Sequence, residues 1–277
     1  KFPADPRDSA RLMILDRQYG EVEEKSFADI VSTFHKGDCL VVNQTKVFPA
    51  RLYGKKEKTN AKIEVFVLRE LNKTENIWDV IVDPARKVRI GNRIYFNDKF
   101  WCEVIDNTTS RGRTVRFNDE SGDIYKSIET IGQTPLPPYI KRDSVPEDKE
   151  QYQTVFARQD GSVAAPTAGL HFTDELLEKI KAKGIKIVPV ILHIGLGTFR
   201  QVEVEDLTKH KMDSEFFEIT EESAAMVNKA ISSKKNIFVV GTSSTRAIII
   251  NEKGKLIASA TSDYPLITPR PGWAEQN

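Results

Sequence analysis

Between about residues 51 and 140 the chain changes rhythm, and this change limits its possible folds more than any other feature. Ile63, Val65 and Val67 alternate with Glu64, Phe66 and Leu68, the two-residue period of a strand whose faces differ. Apolar runs at 78–82, 88–90, 93–96, 101–105 and 113–117 follow at short spacing, and Gly91-Asn92 between two of them is a hairpin signal. No helical period intervenes until Ile124–Ile131. Closely spaced strands without crossover helices predict a small antiparallel barrel. Pro135, Pro137, Pro138 and Pro146 then make a stiff connector, a natural place for a domain boundary.

The flanking segments read differently. Residues 11–16 form an apolar-rich strand. Ser26 can cap a short helix carrying Phe27, Ile30, Val31 and Phe34 at helical spacing, which Gly37-Asp38 ends. Cys39–Asn43 reads as a buried strand with the polar loop Asn43-Gln44-Thr45-Lys46 at its end. After Gln151, strands and helices alternate. Thr173 caps a helix with Asp174 and Glu175 in its first turn and Leu176, Leu177 and Ile180 on its buried stripe; Gly184 stops it. Residues 185–192 are almost wholly apolar, the signature of a strand covered on both faces. Thr220 caps a second helix with Ala224, Val227 and Ile231, and strand 236–240 runs into Gly241-Thr242-Ser243-Ser244-Thr245-Arg246, where helix can restart. The expected architecture is an α/β main domain, residues 1–50 and 149–277, with an inserted antiparallel β-barrel domain, residues 51–148.

Composition excludes several classes. Of 277 residues, 29% are charged and 39% hydrophobic, too apolar for a disordered chain. No run approaches the roughly 18 apolar residues of a membrane helix, and residues 1–8 do not resemble a signal peptide. Cys39 and Cys102 sit far apart inside apolar runs and are expected to be buried free thiols. A cytoplasmic protein is expected. The net charge of +1 conceals a local excess: from Arg51 to Arg116 there are fifteen Lys/Arg against nine Asp/Glu. Arg86, Lys87, Arg89 and Arg93 form one cluster, and Arg111, Arg113 and Arg116 another. Such clusters can neutralise phosphates, although they also suit an ordinary solvated barrel surface.

Candidate chemistry gathers between Gly161 and Phe199. His171 and His193 each follow a leucine and lie beside glycine and threonine; the chain has four histidines in all. Histidine is the side chain suited to proton transfer near neutral pH, and ligands of open α/β sheets gather at the carboxyl ends of strands. A strand-end histidine can equally be structural. Gly195-Leu196-Gly197-Thr198 lacks the third glycine of a dinucleotide fingerprint. The histidine spacings fit no metal motif, no metal is expected, and there is no nucleophile elbow. Gly241–Arg246 can form an anion-binding turn or a plain helix cap. His210 is followed by Asp213 and Glu215, a loop or part of a site.

Eight ordered motifs carry a resemblance. They are Pro6 to Leu12, Gly37-Asp38 through Val47, Pro49 to Leu52, Tyr152-Gln153-Thr154, Ala164-Ala165-Pro166-Thr167-Ala168-Gly169-Leu170-His171-Phe172-Thr173, Leu192-His193-Ile194-Gly195-Leu196-Gly197-Thr198-Phe199, His210 to Glu215, and Gly241 to Ala247. Together they resemble the S-adenosylmethionine:tRNA ribosyltransferase-isomerase family, the QueA-type enzymes of queuosine biosynthesis. The resemblance implies transfer and isomerisation of the ribosyl part of S-adenosylmethionine onto 7-aminomethyl-7-deazaguanine at the tRNA wobble position. Epoxyqueuosine forms; adenine and methionine leave. S-adenosylmethionine is then a co-substrate, no cofactor is needed, and the partner is a tRNA anticodon loop. A monomer is expected. The alternatives are an RNA-binding relative with an incomplete site and a nucleoside-type hydrolase.

The chain departs from the family pattern where Asn43-Gln44-Thr45-Lys46 replaces the usual Asn-Asp-Thr-Arg and where Asp213 replaces a frequent histidine. Residues 248–277 do not match the family's continuation, so the second part of the main domain is expected to be incomplete at its C-terminus. In the reaction, a base removes a C5′ proton made acidic by the sulfonium. Adenine is eliminated, the substrate amine bonds to the ribosyl fragment, and methionine departs as the epoxide closes. His193 is expected as the base, with His171 at the adenine. The substrate-binding set is Thr167, Gly169, Phe172, Gly195, Gly197, Thr198, Phe199, His210, Glu215, Thr242, Ser243 and Arg246, an aromatic ring facing the sulfonium. Arg86, Lys87, Arg89, Arg111 and Arg113 are expected to hold the RNA.

Overall fold

Five consecutive buried residues, Cys39–Asn43, make the strand around which one half of the protein is built. The computed structural model describes residues 2–16, 18–137, 139–195, 215–247, 262–264, 266–270 and 273–276. They form two compact units, one of Lys1–Lys46 with Gln151–Asn277 and one of Val47–Glu150.

In the first unit, β1 (Arg11–Leu15) and β2 (Val22–Ser26) pair as a hairpin. The segment after Ser26 is a 3-10 helix, Phe27–Thr33, where sequence spacing pointed to an ordinary helix. Its hydroxyls explain the tighter winding: Ser32 and Thr33 donate to the carbonyls of Asp29 and Ile30, three residues back. β3 is Cys39–Asn43, and β4, Thr45–Val47, follows after one residue.

The second unit is the inserted barrel. β5 (Arg51–Lys56), β6 (Lys62–Asn72), β7 (Ile77–Asp83), β8 (Arg93–Tyr95), β9 (Phe100–Asn107) and β10 (Gly112–Asp119) close in the order β10-β7-β6-β5-β8-β9. All neighbouring pairs are antiparallel. Leu52, Ile63, Val65, Val67, Trp78, Val80, Val82, Ile94, Cys102, Val104, Val115 and Phe117 fill the interior, so closure removes both the apolar faces and the open edges from water. The expected fold class, an α/β domain with an inserted antiparallel barrel, is what the structure shows. The expected strand at 88–90 is absent. Ala85–Lys87 is a 3-10 turn, and the buried Arg113 guanidinium donates to the carbonyls of Ala85 and Val88, which a ladder would otherwise need. β5 carried no strong sequence signal. The helix α1, Ile124–Ile131, packs on β10 with Asp123 capping the Lys126 N–H. A short α2, Asp148–Gln151, follows, where Asp148 accepts two bonds from Arg142.

Back in the first unit, β11 (Gln159–Ser162) pairs with β4. α3 (Asp174–Ala182) is capped by Thr173 and stops at Gly184, and β12 (Lys186–Leu192) follows. β13 (Glu215–Glu218), α4 (Glu221–Ser232) capped by Thr220, β14 (Ile237–Val239) and α5 (Thr242–Ala247) come next. β15 (Ser262–Tyr264) pairs with β13; β16 (Leu266–Arg270) pairs with β17 (Trp273–Gln276).

The main sheet runs β14-β3-β12-β13-β15, with β3 parallel to both β12 and β14. α3 covers one face through Leu176, Leu177 and Ile180, joined by Phe27 and Phe34. α4 covers the other through Val227 and Ala230. That two-sided cover is why strand 186–192 is apolar at nearly every position. At the amino end of the sheet, buried Asp38 accepts the N–H groups of His35 and Asn236, tying the start of β3 to that of β14. Burial alone would raise its pKa, but these hydrogen bonds to the carboxylate win and lower it. Cys39 and Cys102 are buried free thiols, and burial pushes the Cys39 pKa up to about 11. Among the described residues, no helix is long and apolar enough to cross a membrane.

Candidate functional site

Three parallel strands end at one edge of the main sheet: β3 at Asn43, β12 at Leu192 and β14 at Val239. The chain leaves β3 to reach neighbours on opposite sides, so the carboxyl edge at β3 is a topological switch point, where open sheets bind ligands. Asn43 braces this edge. Its Nδ2 donates to the Leu192 carbonyl at 2.9 Å, and its Oδ1 accepts the Leu192 and Thr45 N–H groups at 3.1 and 3.0 Å.

His193 is the first residue past β12 and is half-buried. Its backbone N–H donates to the Phe216 carbonyl at 2.8 Å, and the Phe216 ring stacks on the imidazole with centroids 5.2 Å apart and planes at 20°. Its Nδ1 lies 2.8 Å from the hydroxyl of Thr45, which is fully buried. Gly161 backs the ring so closely that a Cβ there would lie 2.6 Å from Cε1 and Nε2. Burial pushes the His193 pKa below its ordinary value, and the charge of Asp160 partly opposes this, so the ring is neutral at pH 7. Lys46 pairs with Asp160 at 3.2 Å. The buried Ser162 hydroxyl accepts the Ile194 N–H at 2.9 Å and donates to the Ala164 carbonyl at 2.7 Å, locking segment 161–165 onto the histidine strand. Gly195 donates its N–H to the buried Glu215 carboxylate at 3.2 Å, so these two expected residues do meet beside His193.

The other expected residues are distributed around this edge unevenly. His171 ends a 3-10 turn, Thr167–His171, exposed and with its ring 5.2 Å from Phe27. Thr167 is exposed, and Gly169 is buried against the Phe156 ring. A Cβ at Gly241 would touch Ala168 at 3.7 Å, which sets this turn beside the start of α5. Phe172 is a correction: it lies sealed in the core against Phe27 and Phe156, with no ring face left for a sulfonium. In α5, Thr242 is exposed and Ser243 buried, while the Ser244 and Thr245 hydroxyls donate to the carbonyls of Val240 and Gly241. These two hydroxyls therefore serve the backbone rather than an anion. The Arg246 side chain, Gly197, Thr198, Phe199 and His210 lie outside the described residues. Sequence reading missed Phe216, which sits in a strand too short to show a period, and named Thr45 and Gly161 only within a motif and a segment, without a role for either.

Within the barrel unit, Arg86, Lys87 and Arg89 are exposed around one 3-10 turn, and Arg111 is exposed in a loose pair with Asp83 at 3.4 Å. Arg113 is another correction. It is buried, and its guanidinium donates to the carbonyls of Ala85, Val88, Thr109 and Gly112, so it shapes the basic turn from beneath instead of meeting phosphate. An outward cation–aromatic ladder was not anticipated. Tyr95 and Trp101 sit directly opposite across β8 and β9 with rings stacked at 5.7 Å, and the Arg93 guanidinium lies 4.9 Å from the Trp101 centroid.

Comparison with known proteins identifies the family. The family described as Queuosine biosynthesis protein matches residues 1–273. An S-adenosylmethionine:tRNA ribosyltransferase-isomerase of Chloroherpeton thalassium is 57% identical over 253 residues, covering 91% of this chain and 73% of its own length. One of the same name from Flavobacterium psychrophilum is 52% identical over 280 residues, covering 100% and 78%. A crystal structure of S-adenosylmethionine tRNA ribosyltransferase from Thermotoga maritima is 27% identical, with a TM-score of 0.39 over 90% of this chain and 67% of that one. The chain belongs to the S-adenosylmethionine:tRNA ribosyltransferase-isomerase family of queuosine biosynthesis.

Proposed function

We infer that this chain transfers and isomerises the ribosyl group of S-adenosylmethionine onto 7-aminomethyl-7-deazaguanine in tRNA, giving epoxyqueuosine with release of adenine and methionine. Its similarity to curated enzymes of that activity over nine-tenths or more of its length supports the reading. One observation supports seating the reaction at His193: a half-buried imidazole, its pKa lowered by burial, is held by Thr45 and Phe216 at the carboxyl edge of a parallel sheet.

His193 is the group that meets the reacting sugar or the departing adenine, and His171, exposed beside Phe27, is the second imidazole of this reading. Glu215, held by the Gly195 N–H, lies next to His193 and suits the ribose hydroxyls. Thr167, Thr242 and Ser243 border the site from the neighbouring turn and α5. The anticodon loop is held by the barrel through Arg86, Lys87, Arg89 and Arg111, with the Arg93–Trp101–Tyr95 ladder offering a surface on which splayed bases can stack. The enzyme acts in the cytoplasm as a monomer.

The test is mass spectrometry of tRNA bearing the 7-deazaguanine amine after incubation with S-adenosylmethionine. A ribosyl-derived adduct and stoichiometric free adenine are expected. Adenine released equally without tRNA would make the protein a nucleoside-type hydrolase, and no adenine in either case would leave only an RNA-binding relative. His193→Ala, if folded, should lose nearly all turnover; near-normal turnover would remove His193 from the reaction.

A further inference from the structure

We propose that Thr45 is a positioning residue that holds His193 in the tautomer carrying its proton on Nε2, so that the imidazole meets its ligand as a hydrogen-bond donor. This rests on His193 belonging to the reaction site, but the tautomer itself can be measured without any reaction. The argument is one of donors and acceptors. Thr45 is fully buried, and among the described residues its hydroxyl has one hydrogen-bond partner, Nδ1 of His193 at 2.8 Å. Asn43, two residues before it, is already engaged. Its Oδ1 accepts the N–H groups of Leu192 and of Thr45 itself, and its Nδ2 donates to Leu192.

Two arrangements are open to the pair. Either the hydroxyl donates to a bare Nδ1, with the ring proton on Nε2, or Nδ1–H donates to the hydroxyl oxygen. The second leaves a buried O–H with nothing to donate to. An orphaned buried donor is disfavoured enough to bias the pair by roughly tenfold or more toward the first. Burial of the ring keeps it neutral, so the two tautomers are the states that compete. The charged groups near the ring are Asp160 with its partner Lys46, and Glu215, which takes the Gly195 N–H; among the described residues the hydrogen bond at Nδ1 is with Thr45.

The consequence reverses the direction expected from sequence. With Nδ1 as acceptor, Nε2 offers a proton rather than a lone pair, and the base at C5′ is not His193 in its resting form. Its fitting ligand atoms are acceptors on which charge grows as the co-substrate fragments, a ring nitrogen of the leaving adenine or the ribose ring oxygen. A neutral imidazole donating to such an atom stabilises it without ionising first.

Long-range proton–nitrogen NMR on histidine-labelled protein tests this, with His193 signals assigned by their loss in His193→Gln; four histidines keep the spectrum simple. The expected result is a bare Nδ1 and a protonated Nε2 in wild type, a changed tautomer balance in Thr45→Val, and restoration in Thr45→Ser. Thr45→Val should lower kcat about tenfold with little change in KM for S-adenosylmethionine, and Thr45→Ser should recover it. A protonated Nδ1 in wild type, or a tautomer balance unaltered in a folded Thr45→Val, overturns the proposal. Should the tautomer be as stated while His193→Gln turns over normally, the placement of His193 in the reaction fails and the tautomer assignment stands.

Discussion

Replacing Gly161 with alanine should damage catalysis far more than folding. The added Cβ would lie 2.6 Å from both Cε1 and Nε2 of His193 and 2.8 Å from Cδ2, where ordinary contact begins at 3.4 Å. The ring must therefore retreat by about 0.8 Å to restore contact distance. It has little freedom to do so, because Phe216 stacks against it and Thr45 anchors Nδ1 at 2.8 Å. Displacing a reacting group by about 1 Å costs on the order of 10²-fold in rate. The backbone at Gly161, with φ of +148°, adds strain of about 1–3 kcal/mol for any L side chain. A drop in kcat of roughly 10²-fold, read by adenine release at saturating substrates, should accompany a lowered but still cooperative melting transition. A Gly161→Ala protein that melts normally and turns over within twofold of wild type would refute the packing argument.

Arg113→Met should destabilise the barrel by about 3 kcal/mol, because the carbonyls of Ala85, Val88, Thr109 and Gly112 lose their buried donor; an unchanged melting temperature would return Arg113 to the surface set. Reversing Arg86 and Arg89 together should weaken tRNA binding and flatten its dependence on salt, with adenine-release chemistry at saturating tRNA preserved; tRNA affinity measured across a salt series decides this. Trp101→Ala should weaken tRNA binding by about 1–3 kcal/mol without altering that salt slope, and an unaffected dissociation constant would clear the ladder of any role. Hydrogen bonds from Arg142 hold the Asp148 carboxyl below its ordinary value of 3.8, against the opposing effect of burial. Because the folded value is depressed, the stabilisation is complete above the ordinary value and fades as pH falls through the folded one; Asp148→Asn should flatten that acid limb in pH-dependent melts.

How far the fold could be read depended on how each piece is stabilised. Strands such as Lys62–Asn72 and Phe100–Asn107 bury alternate residues in a barrel with a single interior, so their two-residue period was plain. Helices after Thr173 and Thr220 announced themselves because each cap is a local event, one hydroxyl and one N–H. Segment 88–90 was misread because its neighbours are determined from a distance: Arg113 reaches across 25 residues to the Val88 carbonyl, and no window of sequence shows that. The site followed the same division. His193 and Gly195 stood out by residue type at the end of an apolar run. Thr45 did not, since its meaning lies in a partner 148 residues away. Phe172 and Arg113 looked functional by type and motif, and only burial separates a ring in the core or a guanidinium under a turn from one facing a ligand.

The inserted barrel also sets a timetable. Asn43 and Leu192 exchange hydrogen bonds across 149 residues, while every strand of the barrel finds its neighbours inside the interval between them. At translation speeds of about 5–20 residues per second, β3 emerges from the ribosome roughly seven to thirty seconds before the strand it must lie beside. During that wait the barrel can finish, leaving the nascent chain with one completed module and one sticky, all-apolar ribbon of Cys39, Leu40, Val41 and Val42. A newborn chain of this protein is therefore most in need of a chaperone just after its inserted barrel is complete and before β12 exists.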